Sequence, residues 1–249
     1  MRALITGASS GIGRDMAREL AKRNYELVLV ARDEERLKEL QKEFTIKTTI
    51  IPMDLSSEEN CKKLYEQEKD IDILINNAGF GTFGSFDETD LDMELNLIKT
   101  NVTAVHILTK LYLKDMIKED KGIILNVSSI AGFMPGPLMA AYYASKAYVL
   151  RLSEGIRAEL KKKKSKVQIS VLTPGPVNTN FNNVANVKFN LHSLSSPYVA
   201  KYTINKLFEG KFIITPGITI KLARFFTKII PNSIIVKFVY YAQERKRGE

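Results

Sequence analysis

Cysteine is almost absent from this chain. One residue in 249, Cys61, excludes an intramolecular disulfide and suits a reducing compartment, so a cytoplasmic location is expected. No run approaches the roughly 20 apolar residues that a membrane-spanning helix requires. The N-terminus enters a short apolar strand and then a glycine turn, without the apolar stretch and small-residue cleavage site of a secretory signal, so none is expected. Two histidines, His106 and His192, and one cysteine make no zinc-like cluster, so no metal is expected. Internal repeats and low-complexity linkers are also missing. Acidic residues are in deficit, 28 against 37 basic, for a net charge of +9. Such a balance raises the question of nucleic acid, but no recognisable binding module or aromatic stacking platform accompanies it, and no nucleic-acid partner is expected. The run Lys161 to Lys164, with Lys166, reads as the solvated end of a long helix, where cations complement the negative pole of the helix dipole.

The chain does hold a regular alternation of strand-like and helix-like segments, which argues for a parallel sheet covered on both faces. Strands are expected at Arg2–Thr6, Glu26–Ala31, Thr48–Pro52, Ile71–Ile75, Gly122–Val127, Lys166–Leu172 and Lys211–Ile214. Helices are expected at Ile12–Arg23, Asp33–Phe44, Ser57–Lys69, Leu91–Lys118, Met139–Lys163 and Ser196–Phe208. At this length a single α/β domain is expected over residues 1–217, with a polar lid at about 181–196. Residues 218–249 form a distinct segment that mixes aliphatic, aromatic and basic residues around Pro231. It reads as an amphipathic extension packed on the domain or at an interface; contact with a membrane surface is the less favoured reading.

Tyr142 and Lys146 stand four residues apart, so a helix puts them on one face, one turn from each other. A free phenol, with a pKa of about 10, is a poor acid–base catalyst at neutral pH, and a nearby cation favours its ionised form. Enzymes that move a proton to or from an alcohol need such a tuned group. The first strand runs straight into Thr6-Gly7-Ala8-Ser9-Ser10-Gly11-Ile12-Gly13 and then a helix. Glycines there let the backbone approach a pyrophosphate seated on the N–H groups of the new helix. The second strand ends Val30-Ala31-Arg32, with no acid at its last position to bind a ribose 2′-hydroxyl. Arg32 is placed to clasp a 2′-phosphate, with Ser9 and Arg36 as lesser partners, so NADP(H) is the expected cofactor and NAD(H) the alternative. Asp33, one position late, reads as the cap of the following helix.

Thr6-Gly7-x-x-x-Gly11-x-Gly13, Asn76-Asn77-Ala78-Gly79, Ser129, Tyr142-x-x-x-Lys146 and Pro174-Gly175 resemble, in order and spacing, the short-chain dehydrogenase/reductase family, over roughly residues 2 to 217. The resemblance implies a doubly wound Rossmann fold with a single seven-stranded parallel sheet. It implies that Tyr142 exchanges a proton with the substrate oxygen, that Lys146 lowers the pKa of Tyr142 and bonds the nicotinamide ribose, and that Ser129 holds the substrate oxygen. Ser128 is its competitor, and only one of the two can face the site. Asn101 matches the asparagine that bends a helix and supports a relay water. Gly7, Ser9, Ser10, Gly11, Ile12 and Gly13 would form the pyrophosphate turn. Asp54 and Leu55 would meet the adenine, and Asn77, Ala78 and Gly79 the adenosine ribose. Pro174, Gly175, Val177 and Thr179 would hold the nicotinamide carboxamide.

The expected reaction is interconversion of a carbonyl and an alcohol on a small, apolar substrate, in a cleft lined by Phe80, Ala131, Phe133, Met134, Pro176 and Phe181. Tyr143 either faces that cleft or packs. A serine-hydrolase reading of Ser129 fails for want of a Gly-x-Ser-x-Gly elbow. A dinucleotide-sensing binding protein on the same fold is the rival, and the intact Tyr142 and Lys146 argue against it. The resemblance also implies that the two long helices, Leu91–Lys118 and Met139–Lys163, pair across subunits, so a homodimer or homotetramer is expected.

Overall fold

The structure, a computed structural model, describes residues 1–179 and 193–244. Phe181, His192 and most of the expected lid lie outside the described residues. The strands are β1 (Arg2–Thr6), β2 (Glu26–Ala31), β3 (Thr48–Pro52), β4 (Ile73–Asn76), β5 (Ile123–Val127), β6 (Gln168–Leu172), β7 (Val177–Asn178), β8 (Leu194–Ser195) and β9 (Ile213–Ile214). Helices α1 (Gly11–Ala21), α2 (Glu34–Lys42), α3 (Glu58–Gln67), α4 (Leu91–Ile98), α5 (Val105–Glu119) and α6 (Ala140–Lys162) alternate with them. The described helices end with α7 (Ser196–Phe208), α8 (Ile218–Phe226) and α9 (Asn232–Glu244).

Seven strands form one parallel sheet in the order β3-β2-β1-β4-β5-β6-β9, the doubly wound arrangement that the alternation predicts. The short central strands are apolar at nearly every position because both of their faces are covered. Ala3, Ile5, Leu27 and Leu29 point into one core with Met16 and Leu20 of α1 and Ile204 and Leu207 of α7. Leu4, Val28 and Val30 point into the other, with Leu64 of α3 and Leu108 and Tyr112 of α5. The period-two alternation of the strand thus feeds both layers.

Local signals set the helix starts. Asp33 accepts from the Arg36 N–H at 3.0 Å and caps α2, and Ser57 accepts from the Asn60 N–H at 3.2 Å and caps α3. Two features add detail to the expected elements. The helix expected over Leu91–Lys118 is interrupted by a π-helical turn at Lys99–Ala104, between α4 and α5. A second sheet, β7 paired in parallel with β8, forms beyond the main one. It ties the Pro174 segment to the start of α7, where Leu194 donates to the Pro176 carbonyl at 3.1 Å.

Candidate active site

In a parallel sheet all carboxyl ends share one edge. Thr6 and the glycine turn, Asn77, Ser129 and Pro174 therefore emerge side by side from β1, β4, β5 and β6. The turn after β1 fits closely against the end of β4. Gly7 has φ +64°, and a Cβ on it would sit 2.8 Å from the Ala78 Cα. A Cβ on Gly13 would collide with the Gly7 carbonyl and the Asn77 amide. Asn77 secures the turn by donating Nδ2 to the Thr6 and Gly7 carbonyls at 3.0 and 3.1 Å. Thr6 Oγ1 accepts from the N–H groups of Asn77 and Ala78 at 2.9 and 3.0 Å. Ser10, the residue before α1, makes no side-chain cap, so α1 opens on uncapped N–H groups behind bare glycine backbone.

That cradle suits the pyrophosphate of a dinucleotide, because a negative group there meets the positive pole of α1 and no side chain fills its space. The adjoining cleft of about 410 Å³ is lined by Ser9, Ser10, Gly11, Arg14, Arg36 and Thr179, among others. Arg32 is exposed at the end of β2 and has no ion-pair partner among the described residues. Asp33, by contrast, is occupied by its cap and by an ion pair to Arg36 at 3.3 Å. Asp54 is exposed and holds the Ser56 N–H at 2.9 Å, while Leu55 is buried beneath it. Val177 lies in β7, and the Thr179 side chain lies against Gly11.

Beside the cradle, Tyr142 and Lys146 share one face of α6. Lys146 Nζ donates to the Val127 carbonyl at 3.0 Å and lies 5.7 Å from the centre of the Tyr142 ring. Ser129 hydrogen-bonds Tyr142, and its Oγ also lies 3.4 Å from the Pro174 carbonyl. Ser128 points the other way and donates to the Lys146 carbonyl at 2.7 Å, pinning α6 to the end of β5. Strand alternation therefore separates the two serines, one into the site and one into the scaffold.

Burial pushes the Tyr142 phenol up to about 12, with the Ser129 hydrogen bond opposing and Tyr143 adding to the rise. Burial also pulls the Lys146 ammonium down to about 8. The four-residue spacing predicts a phenol pKa lowered by Lys146. Burial instead dominates both groups and opposes the charged form of each, with Lys146 buried and Tyr142 half-buried. Below pH 8 the pair is a phenol beside an ammonium, an arrangement that can give a proton.

Asn101 is fully buried in the π-helical turn. Its Oδ1 accepts from the Phe80 N–H at 3.1 Å, and its Nδ2 donates to the Phe80 carbonyl at 2.9 Å and to Ser145 Oγ at 3.1 Å. The widened turn brings this amide beside Gly79 and Lys146, whose Nζ would lie 3.4 Å from a Cβ on that glycine. Ser145 in turn donates to the Tyr142 carbonyl at 2.7 Å. Sequence reasoning missed Ser145, and it missed a second buried network. Asn76 and Asn126 are paired across β4 and β5 and bonded at 2.8 Å, and Asn126 donates to Ser153 of α6 at 3.0 Å. The visible signal was a single asparagine at or next to the end of each of two otherwise apolar strands.

Tyr143 packs edge-on against Tyr142, and its hydroxyl accepts from Gln243 of α9 at 2.7 Å. Phe133 and Met134 line an apolar groove between α6 and α9, of about 570 Å³, and Phe133 lies beneath Arg224. Cys61 is buried, with its thiol pushed up to about 11, and is no nucleophile. Among the described residues no group of acids, histidines and cysteine could hold a metal ion.

Comparison with known proteins agrees with this geometry. The family model for short chain dehydrogenases matches residues 1–188. The very-long-chain 3-oxoacyl-CoA reductase of Anas platyrhynchos is 37% identical over 175 residues, 65% of this chain and 55% of that protein. The chain thus spans about half the length of the curated relatives it matches. A short-chain dehydrogenase from Sphingobium yanoikuyae, solved with NADPH, superposes with a TM-score of 0.83 at 29% identity over 92% of each chain. A family member from Burkholderia phymatum, solved with NAD, gives a TM-score of 0.80 at 25% identity over 90% of this chain and 91% of that one. A doubly wound sheet, a glycine cradle at its first turn and a tyrosine–lysine pair at the same edge complete the case: this chain belongs to the short-chain dehydrogenase family of oxidoreductases.

Proposed function

We propose that this protein is an NADP-dependent carbonyl reductase acting on an apolar substrate, with Tyr142 as proton donor. The observation that carries the reading is the placement of Tyr142 and the buried Lys146 on one face of α6, 5.7 Å from ring centre to Nζ, beside the glycine cradle. A nicotinamide dinucleotide, held by the turn from Gly7 to Gly13, Asn77 to Gly79 and Pro174 to Thr179, supplies the hydride. Arg32 and Ser9 read its 2′-phosphate, and Asp54 and Leu55 flank its adenine. Ser129 hydrogen-bonds the substrate oxygen and Tyr142 gives it a proton, for which its high pKa suits it better than for proton removal. Lys146, carrying its proton below about pH 8, stabilises the phenolate left behind. Asn101 acts as a positioning residue, fixing the Phe80 backbone and, through Ser145, the first turn of α6.

An apolar ketone fits the name of the avian relative, a very-long-chain 3-oxoacyl-CoA reductase, and the groove beside α6 lined by Phe133 and Met134. A homodimer or homotetramer built on the α4 and α6 faces fits the exposed Leu91, Met93, Ile98 and Tyr148. A cytoplasmic site of action fits the lone, reduced cysteine.

The test is cofactor titration by intrinsic fluorescence and thermal shift, with NADPH and NADH side by side on the parent and on Arg32→Ala. The parent should prefer NADPH. Arg32→Ala should weaken NADPH about tenfold or more and leave NADH nearly unchanged, since a lost charge-assisted bond costs roughly 1.5–3 kcal/mol. Equal losses for both cofactors would move the phosphate contact elsewhere, and binding of neither would favour the non-catalytic rival.

A further inference from the structure

The two C-terminal helices and the turn between them carry half of the large exposed apolar side chains among the described residues. Eighteen large apolar side chains are exposed among the described residues, and nine of them fall between Ile218 and Tyr241. Helix α8 has no buried residue, and Leu222, Phe225 and Phe226 are more than half exposed. In α9, Ile235, Val239 and Gln243 turn inward, while Ile234 and Phe238 project outward, the latter 75% exposed.

The inward contacts hold both helices at the active-site edge. A Cβ on Gly175 would collide with Ile220, the Arg224 guanidinium lies 5.3 Å over Phe133, and Gln243 donates to Tyr143. The outer face is therefore presented by a mounted element and not by a frayed tail.

Its charge selects the occupant. From Ile218 to Gln243 the sequence has four basic residues and no acidic one. Lys221, Lys228 and Lys237 are exposed among the apolar groups. A second copy of the same face would set cation against cation, and a nucleic acid would leave the phenylalanines unmatched. A bilayer with anionic headgroups satisfies both sets at once, with apolar side chains in the acyl boundary and lysines at the phosphates. Helices of 9 and 13 residues, about 14 and 20 Å long, are too short to cross the roughly 30 Å hydrocarbon core. No helix among the described residues is long and apolar enough to span it.

We infer that the outer face of α8 and α9 docks the protein, in the plane of the interface, on an anionic lipid bilayer, with its active-site edge turned toward the membrane. This docking is tested by co-sedimentation of the full chain with vesicles of phosphatidylcholine alone and of phosphatidylcholine mixed with phosphatidylglycerol. Binding should be at least about tenfold stronger to the anionic vesicles and should weaken with salt. The triple variant Leu222→Glu, Phe225→Glu, Phe238→Glu should lose it while keeping the parent's circular dichroism and NADPH-induced thermal shift, since all three side chains are exposed. Equal partition into both vesicle types, or no sedimentation with either, would overturn the assignment. So would a lipid-free parent that self-associates, in sedimentation velocity, through contacts the triple variant abolishes.

Discussion

The carboxyl edge of the sheet and the C-terminal helix pair treat polarity in opposite ways. At the edge, polar groups are inside and bonded: Lys146 to Val127, Asn101 to Phe80 and Ser145, Asn126 to Asn76 and Ser153. On the helix pair, half of the large exposed apolar groups among the described residues face outward, and Lys221, Lys228 and Lys237 are exposed among them. The first arrangement fixes geometry and sets the protonation of Tyr142 and Lys146 by desolvation. The second contributes little to the fold and keeps its energy for an external surface. Chemistry here is built where every partner is internal, and association where none is.

The contrast can be broken deliberately. The largest effect is expected from Lys146→Met, which should cut carbonyl reduction about 10²- to 10⁴-fold. The same change should leave the melting temperature at pH 7 unchanged or raised, because it removes a buried charge. The sign follows from the shift. The folded pKa of Lys146, about 8, lies below its ordinary 10.5, so between these values the unfolded chain holds more protons and stability climbs with pH. Below pH 8 the full penalty, up to about 3 kcal/mol, is present. The variant should lack this climb, whereas Tyr142, shifted the opposite way, acts only above pH 10. Reduction by the parent should fall as pH rises through about 8. A melting temperature at pH 7 well below the parent's would show that Lys146 is structural support.

Gly13→Ala should come next. Its Cβ has nowhere to go between the Gly7 carbonyl and Asn77, so calorimetry should find a loss of about 1–3 kcal/mol together with weakened dinucleotide binding. Ile235→Ala, on the inner face of α9, should cost about 2 kcal/mol in denaturant melts and loosen the groove beside Tyr143. Phe238→Ser, three residues on and facing out, should stay within about 0.5 kcal/mol of the parent. Similar losses at Ile235 and Phe238 would erase the distinction between the two faces of the helix.

The same contrast governs how much was legible in the sequence. Strand positions and the glycine turn were readable because apolar runs and left-handed glycines are local demands. The tyrosine–lysine spacing was readable because a helix enforces it. A bend at Asn101 was legible only through the family resemblance, and its bonding to Phe80, 21 positions away, was not legible at all. Nor was the joining of Asn76 to Asn126 and Ser153, which only the sheet register brings together. The upward push of burial on the phenol was not legible, because spacing reports proximity to a charge and not burial. For residues 218–244 the amphipathic pattern was visible, but which face would find a partner was not.

Replacing Tyr142 with Phe tests the central claim most directly, with single-turnover reduction and NADPH affinity measured on the same protein. The account predicts a loss of at least about 10²-fold in the chemical step with NADPH binding nearly unchanged. Turnover within tenfold of the parent would contradict it and remove Tyr142 as the proton donor.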